Sequence, residues 1–207
     1  FLKNTKNLSS ILKKNKIKIL IIDLQNFNKN IINFLKKNKD IFTVILADKH
    51  RRFKEANLTF FPEITKKKKY KIFSGEKFVL VPKLPKKKKI YEVKNILISM
   101  GGSDPHNITK KVISLISKTN LEIKLNIVFG KFYKFKKFPI KSILKNSIKY
   151  KLYDNQKSLK SLMLKNDLLI TNSGITKYEA FTMKLPSIII SNSKSSNLDQ
   201  KNFSNLG

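Results

Sequence analysis

The sequence predicts an α/β protein built on parallel sheets, and three observations carry that prediction. From residue 94 onward, apolar strand-like runs alternate with helix-like segments, the pattern of βαβ units in a doubly wound sheet. Nearer the start, "IKILIID" (17–23) is a β-branched apolar run ending in Asp23, which suits a strand buried on both faces, and "FTVILAD" (42–48) is a second candidate. Between the two regions, "PKLPKKKKIYEV" (82–93) carries two prolines and a charge run, which marks a boundary. The chain is therefore expected to hold a partial N-terminal α/β domain over 1–83, a linker over 84–93 and a second α/β domain over 94–207.

The elements follow in order. A Lys/Asn-rich stretch near 28–39 reads as a helix between the first two strands, and "NLTFF" (57–61) and "KFVLV" (77–81) read as shorter extended pieces. "KNILISM" (94–100) is a strand, "GGSDP" a turn, and 106–118 a helix with Ile108, Val112, Leu115 and Ile116 on one face. A strand at 121–130, a short helix near 140–146, a strand at 148–154 and a helix at 156–166 come next. "DLLITN" (167–172), a helix over 175–184, "PSIII" (186–190) and a last helix from about 197 complete the series. No repeat at a fixed period interrupts it.

Composition narrows the function classes. With 207 residues, 41% hydrophobic content and 10% aromatics, a packed core is expected. The chain opens on Phe1 and ends in "NFSNLG", with no signal peptide or long apolar run, so it reads as a piece of a longer soluble, cytoplasmic protein. It has no cysteine and only His50 and His106, which excludes a disulfide framework and a thiolate metal site and leaves no usual zinc site; neither a metal nor a cofactor is expected.

A net charge of +32 would ordinarily point to a polyanion partner. Almost all of it is lysine, however, with Arg51 and Arg52 the only arginines, and evolved phosphate or base readout favours the guanidinium fork. Lys, Asn and Ile together are what an A/T-rich genome encodes. The runs "KKKK" at 66–69 and 86–89 are read as solvated loops, with nonspecific adhesion to polyanions as their consequence.

Two loops fall where ligands bind in open α/β sheets, beyond the carboxyl ends of strands. In "SMGGSDPHN", Gly101 and Gly102 permit close backbone approach, Ser103 and Asp104 can cap the next helix, and Pro105 suits its first turn. Such a turn offers N–H groups and the positive end of a helix dipole to a phosphate, although a plain β-to-α connection fits too, and the spacing is not the GxGxxG dinucleotide pattern. In "TNSGITKYE", Asn172, Ser173, Gly174 and Thr176 lie at a strand end, with Glu179 one turn into the helix. Hydroxyls and free N–H groups suit a diphosphate, and the carboxylate suits a ribose diol; equally, Ser173 or Thr176 could be an N-cap and Glu179 a first-turn acid facing the dipole.

Taken together, "ILISMGGSDPHNIT", "ITNSGITKYEAFTMKLPSIII" and "NLDQKNFSNLG" resemble the UDP-sugar hydrolase of pseudaminic acid biosynthesis and its spore-coat polysaccharide relatives, which share the GT-B fold of nucleotide-sugar glycosyltransferases. The resemblance covers most of 94–207 and, more loosely, 17–81. It implies a C-terminal domain that grips UDP. The turn at Gly101, Gly102 and Ser103 would lie at the cleft, Ser173, Gly174 and Thr176 would surround the diphosphate, Glu179 would reach the ribose, and Asp199 with Gln200 would face the sugar or phosphate. The implied chemistry is water attack on the anomeric carbon of a UDP-linked 2,4-diacetamido-2,4,6-trideoxy sugar, with UDP leaving.

The chain departs from that pattern in places. The family's GxGHxxR-type loop, which carries the base, has no counterpart, so the catalytic base is expected outside this chain and the chain alone is expected to be inactive. Ser173 stands where glycine is usual, Ile175 where a hydroxyl is usual, and Lys184 where glycine is frequent. Two further readings remain: a GT-B glycosyltransferase that moves the sugar to an acceptor, and a lysine-rich nucleic-acid-binding protein.

Overall fold

The computed structural model describes residues 5–24, 29–46, 55–61, 72–87, 89–135, 139–144, 148–191, 200–201 and 203–204. The chain divides into two compact units, Phe1–Leu80 and Val81–Gly207.

In the first unit, β1 (Ile19–Asp23), β2 (Phe42–Leu46), β3 (Leu58–Phe61) and β4 (Ile72–Ser74) form a parallel sheet in sequence order. Two amphipathic helices, α1 (Thr5–Lys14) and α2 (Lys29–Lys37), cover one of its faces. Leu12, Ile31, Phe34 and Leu35 pack there on Ile22, Ile45 and Phe61. Side chains alternate along a strand, so the neighbouring residues point the other way. Ile19 is 59% exposed and Ile21 63%. The strand expected to be buried on both faces is thus buried on one, because both described helices sit on the same side.

The helix at Thr5–Lys14 is not among the elements expected from the sequence, and the extended piece expected at 77–81 is not a strand. Gly75, at φ 112°, turns the chain out of β4, and Glu76–Phe78 forms a single 3₁₀ turn. The Phe78 ring then joins Phe60 and Phe73, with centroids 6.0 and 5.4 Å away. Ring packing draws Phe78 back over the sheet instead of letting 77–81 extend it.

The second unit is doubly wound. Strands β5 (Asn95–Ser99), β6 (Lys124–Phe129), β7 (Lys149–Asp154), β8 (Leu168–Asn172) and β9 (Ser187–Ile190) pair in parallel in the order β7-β6-β5-β8-β9. The helices are α3 (Ile108–Ile116), α4 (Ile140–Ile143), α5 (Lys160–Lys165) and α6 (Thr176–Met183). Residues 200–201 and 203–204 are helical too, within the helix expected from about 197. Ile96 and Ile98 of β5 pack on Val112, Ile113 and Ile140, while Leu97 between them packs on Leu162, Met163, Ala180 and Met183. Period-two alternation therefore feeds two cores, one on each face. The winding reverses between β5 and β8, and that reversal is the place where such sheets open a crevice for ligands.

The stretch expected to be a linker lies against the second unit. Leu84 and Ile90 pack on the core of α5 and α6, and the Lys87 N–H donates to the Met183 carbonyl at 2.7 Å. The lysine run at 86–89 is correspondingly not all solvated. The Lys87 ammonium donates to the carbonyls of Met163 at 3.3 Å, Leu164 at 2.9 Å and Asn166. The last carbonyls of a helix lack partners and carry its negative end, so a cation there closes α5. Burial lowers the pKa of Lys87, with Asp167 pulling the other way. The run at 66–69 lies outside the described residues.

Candidate nucleotide site

Three strands end side by side at the carboxyl edge of the second sheet, and the loops after β5, β6 and β8 are in direct contact there. Gly101 follows β5 at φ 77°, a left-handed conformation that favours glycine. A Cβ on Gly101 would come within 2.9 Å of Asn172 Nδ2. Gly130, at the end of β6, had no role in the sequence reading. A Cβ there would meet the Gly101 and Gly102 carbonyl oxygens at 2.4 Å, so this glycine lets the loop after β6 lie on the Gly-Gly turn. The Phe132 N–H donates to Gly102 O at 2.8 Å and holds it there.

The two helices that leave this edge begin differently. At α3, Asp104 is buried at 4% exposure and its carboxylate accepts from Ile108 N–H at 2.8 Å and Thr109 N–H at 2.9 Å. The expected cap is therefore present, but it occupies the donors that a phosphate would need. The start of α3 beside the Gly101–Gly102 turn is thus occupied by the chain's own anion. Ser103 is exposed, with no hydrogen-bond partner among the described residues. Tyr133, from the loop after β6, donates to Asn107 Oδ1 at 2.7 Å and closes the far side of this turn. His106 is exposed in the same turn.

At α6 the N-cap position is Ile175, with no side-chain cap and a side chain 61% exposed. Neither Ser173 nor Thr176 serves as the N-cap, and neither hydroxyl has a hydrogen-bond partner among the described residues. The amide of Asn172 spans the two loops, donating from Nδ2 to Met100 O at 3.0 Å and accepting Gly174 N–H at Oδ1, 3.2 Å away. Glu179 lies one turn further on, half-buried, and its carboxylate has no partner among the described residues. Burial pushes its pKa up. Lys177, in the same turn, is 1% exposed, and its ammonium lies over the rings of Tyr178 at 4.8 Å and Phe203 at 5.1 Å.

Of the expected site residues, the structure gathers Gly101, Gly102, Asn172 and Gly174 into one cluster, with Ser173, Thr176 and Glu179 following on the same loop and helix. Gln200 is placed elsewhere. Its amide donates to Ile189 O, and it lines a groove of ≈ 440 Å³ with Lys177, Phe181, Ile189 and Phe203 but none of the loop residues. Asp199 and His50 lie outside the described residues. Among the described residues, no group of three or more His, Cys, Asp or Glu side chains could hold a metal ion, and no helix is long and apolar enough to cross a membrane.

This architecture is that of the GT-B fold. The chain superposes on Acinetobacter baumannii MurG with a TM-score of 0.71 at 13% identity, covering 100% of this chain and 62% of that one. It superposes on TarM with a TM-score of 0.54 at 15% identity, covering 94% and 50%. A Listeria monocytogenes chain assigned as a UDP-N-acetylglucosamine 2-epimerase aligns with a TM-score of 0.55 at 12% identity, covering 95% and 63%.

In sequence, the chain is similar to the uncharacterized protein MJ1062 of Methanocaldococcus jannaschii, at 34% identity over 125 residues, 59% of this chain and 26% of that protein. It is similar also to the spore coat polysaccharide biosynthesis protein SpsG of Bacillus subtilis, at 21% identity over 212 residues, 95% of this chain and 62% of SpsG. The chain thus spans less than two thirds of these relatives. No family model matches it.

Proposed function

We propose that the second unit binds the UDP part of a nucleotide sugar and belongs to an enzyme that transfers that sugar. One observation carries the reading. At the reversal of the sheet, α6 begins at Thr176 without a side-chain cap behind Ser173 and Gly174, and one turn later comes the half-buried carboxylate of Glu179, which has no partner among the described residues. A helix N-terminus with no side-chain cap and with hydroxyls beside it is suited to a diphosphate, and a carboxylate at that distance to a ribose diol. In this reading the carboxylate is left unpaired because its partner is the ligand. The likeness in fold to MurG and TarM, and in sequence to SpsG, supports sugar transfer as the chemistry.

The second reading is hydrolysis of a UDP-linked 2,4-diacetamido-2,4,6-trideoxy sugar, with water as acceptor. It is favoured by the resemblance of "GGSDPHNIT" and "NSGITKYEA" to the pseudaminic acid pathway hydrolase. In either case the base that activates the acceptor is expected outside this chain. Titration calorimetry of UDP against the full chain tests the shared step: binding is expected, and Glu179→Ala should weaken it about tenfold or more, as the loss of a charged hydrogen-bond acceptor does. Undetectable binding at millimolar UDP, or an affinity unchanged in Glu179→Ala, overturns the reading. Where an intact relative-length protein is assayed, release of free sugar from the UDP-sugar without any acceptor decides for hydrolysis over transfer.

A further inference from the structure

We propose, resting on the nucleotide reading above, that Asn172 is a positioning residue: its amide locks the loop after β8 to the loop after β5, and so fixes the start of α6, which has no side-chain cap, in the shape that receives a diphosphate. Backbone pairing between β5 and β8 ends at Ser99 and Thr171. Beyond it, side chains continue the ladder. The Thr171 hydroxyl donates to Ser99 O at 2.7 Å, and Asn172 Nδ2 donates to Met100 O at 3.0 Å. Oδ1 of the same amide accepts the Gly174 N–H at 3.2 Å, a local turn that asparagine side chains are built to make.

The neighbouring glycines are matched to this amide. A Cβ on Gly101 would sit 2.9 Å from Nδ2, and one on Gly174 would sit 3.1 Å from Oδ1. Asn172 thus fills the space that two absent side chains leave, on both sides at once. The loop it holds consists of Ser173 and Gly174 ahead of an uncapped helix, a stretch that has no regular backbone pairing of its own and contains the residue with most freedom to lose. A phosphate site gains from donors already aimed before the ligand arrives. On this account Asn172 does its work by aiming the Gly174 region.

The test compares UDP with uridine, and both with hydrogen exchange at the Gly174 amide, in the full chain. Asn172→Ala should weaken UDP about tenfold, leave uridine within about twofold, and speed Gly174 exchange about tenfold, since misaimed donors cost the phosphates and not the base. Asn172→Asp keeps the shape and the Gly174 acceptor but sets a carboxylate oxygen against Met100 O. It should weaken UDP at least as much, and it serves as the second variant should the alanine form not fold. Gly174→Ala should weaken UDP on its own yet add little in the Asn172→Ala background, where the oxygen its Cβ meets is gone.

UDP affinity that survives in both Asn172 variants, or a loss equal for UDP and uridine, overturns the proposal alone. If the unaltered chain binds no UDP, the nucleotide reading falls and takes the positioning role with it. The exchange rate and the Gly174 coupling then still report whether the lock between the loops exists.

Discussion

The starts of α3 and α6 stand within one sheet edge, behind two adjacent strands, and they have opposite fates. Both follow a glycine-containing turn, and the sequence allows either to be a phosphate site or a plain capped connection. At α3 the buried carboxylate of Asp104 takes the Ile108 and Thr109 N–H groups, whereas α6 has Ile175 at its N-cap with no side-chain cap, and the Lys177 and Tyr178 N–H groups donate to the Gly174 and Ile175 carbonyls. A glycine turn feeding a helix therefore does not make an anion site by itself. What matters is whether the chain has already supplied the anion.

The largest expected effect comes from emptying the filled end. Asp104→Ala removes both hydrogen bonds to the first turn of α3 and leaves an alanine at φ 39°, so the second unit should lose about 2–3 kcal/mol. Thermal unfolding of the full chain would show this as a drop of about 5 °C or more. UDP affinity should stay within about twofold, because the nucleotide is assigned to the other helix. A gain in UDP affinity would instead mean that the vacated α3 end is a second, latent anion site, and the contrast between the two helices would rest on Asp104 alone.

The next effect is at the start of α6, and it has two opposed parts. Glu179→Gln should weaken UDP about tenfold while making the ligand-free chain slightly more stable at neutral pH. The sign follows from burial, which raises the folded pKa above the ordinary 4.5. A raised carboxylate pKa means that the fold prefers the protonated form, so that contribution is fully present below the unfolded pKa and is lost as pH rises through the folded one. The stability gain of Glu179→Gln should therefore vanish in acid, on passing below the ordinary carboxylate value. Denaturant titration at neutral and acid pH checks it, and a variant less stable at neutral pH would show that Glu179 has a structural partner.

Asp167 is the counterexample on the same sheet, and its titration should run the other way. Burial alone would raise its pKa, but N–H donors from the Asn95 backbone and side chain and from Lys94 bring it below the ordinary 3.8. A depressed carboxylate pKa adds stability above the unfolded value and loses it as pH falls through the folded one. Asp167→Asn should thus destabilise the chain at neutral pH, by about 1 kcal/mol for the lost charge on its hydrogen bonds, and converge with the unaltered chain in strong acid. Convergence at neutral pH would mean that the bonds at the start of β5 do not depend on the charge.

Much of this was legible because periodicity is a local property. The alternation of Ile96, Leu97 and Ile98, and the helical spacing of Ile108 and Val112, name both faces of the second sheet without any tertiary information. The glycines at 101 and 174 were legible for the same reason. What the sequence did not reveal depends on partners distant along the chain. Lys87 in a lysine run gives no hint that three carbonyls from Met163 to Asn166 wait for it, nor Gly130 that the carbonyls of Gly101 and Gly102 lie where its side chain would be. Asp104 was recognised as a possible cap, yet whether a cap leaves room for a ligand is decided by the three-dimensional aim of its two oxygens. The open face of the first sheet at Ile19 and Ile21 was misread because an apolar run states only that both sides tolerate burial.

The smallest effect concerns the other end of α6. Lys184 closes that helix at φ 57°, ψ 37°, and the N–H groups of Lys184 and Leu185 donate to Phe181 O and Ala180 O at 3.0 Å. This is the left-handed position that glycine takes at no steric cost, which accounts physically for the glycine frequent there in the family this sequence resembles. A lysine in that conformation stores about 1 kcal/mol of strain. Its exposed side chain makes no hydrogen bond among the described residues to offset it. Lys184→Gly should therefore stabilise the second unit by up to about 1 kcal/mol, less the entropy that glycine adds to the unfolded chain. It should leave UDP affinity unchanged, because the substitution relaxes the carboxyl end of α6 while the ligand is assigned to its amino end. A change in affinity without a change in stability would show that the two ends of this two-turn helix are coupled, and that the aim of Ser173 and Gly174 depends on how α6 is closed.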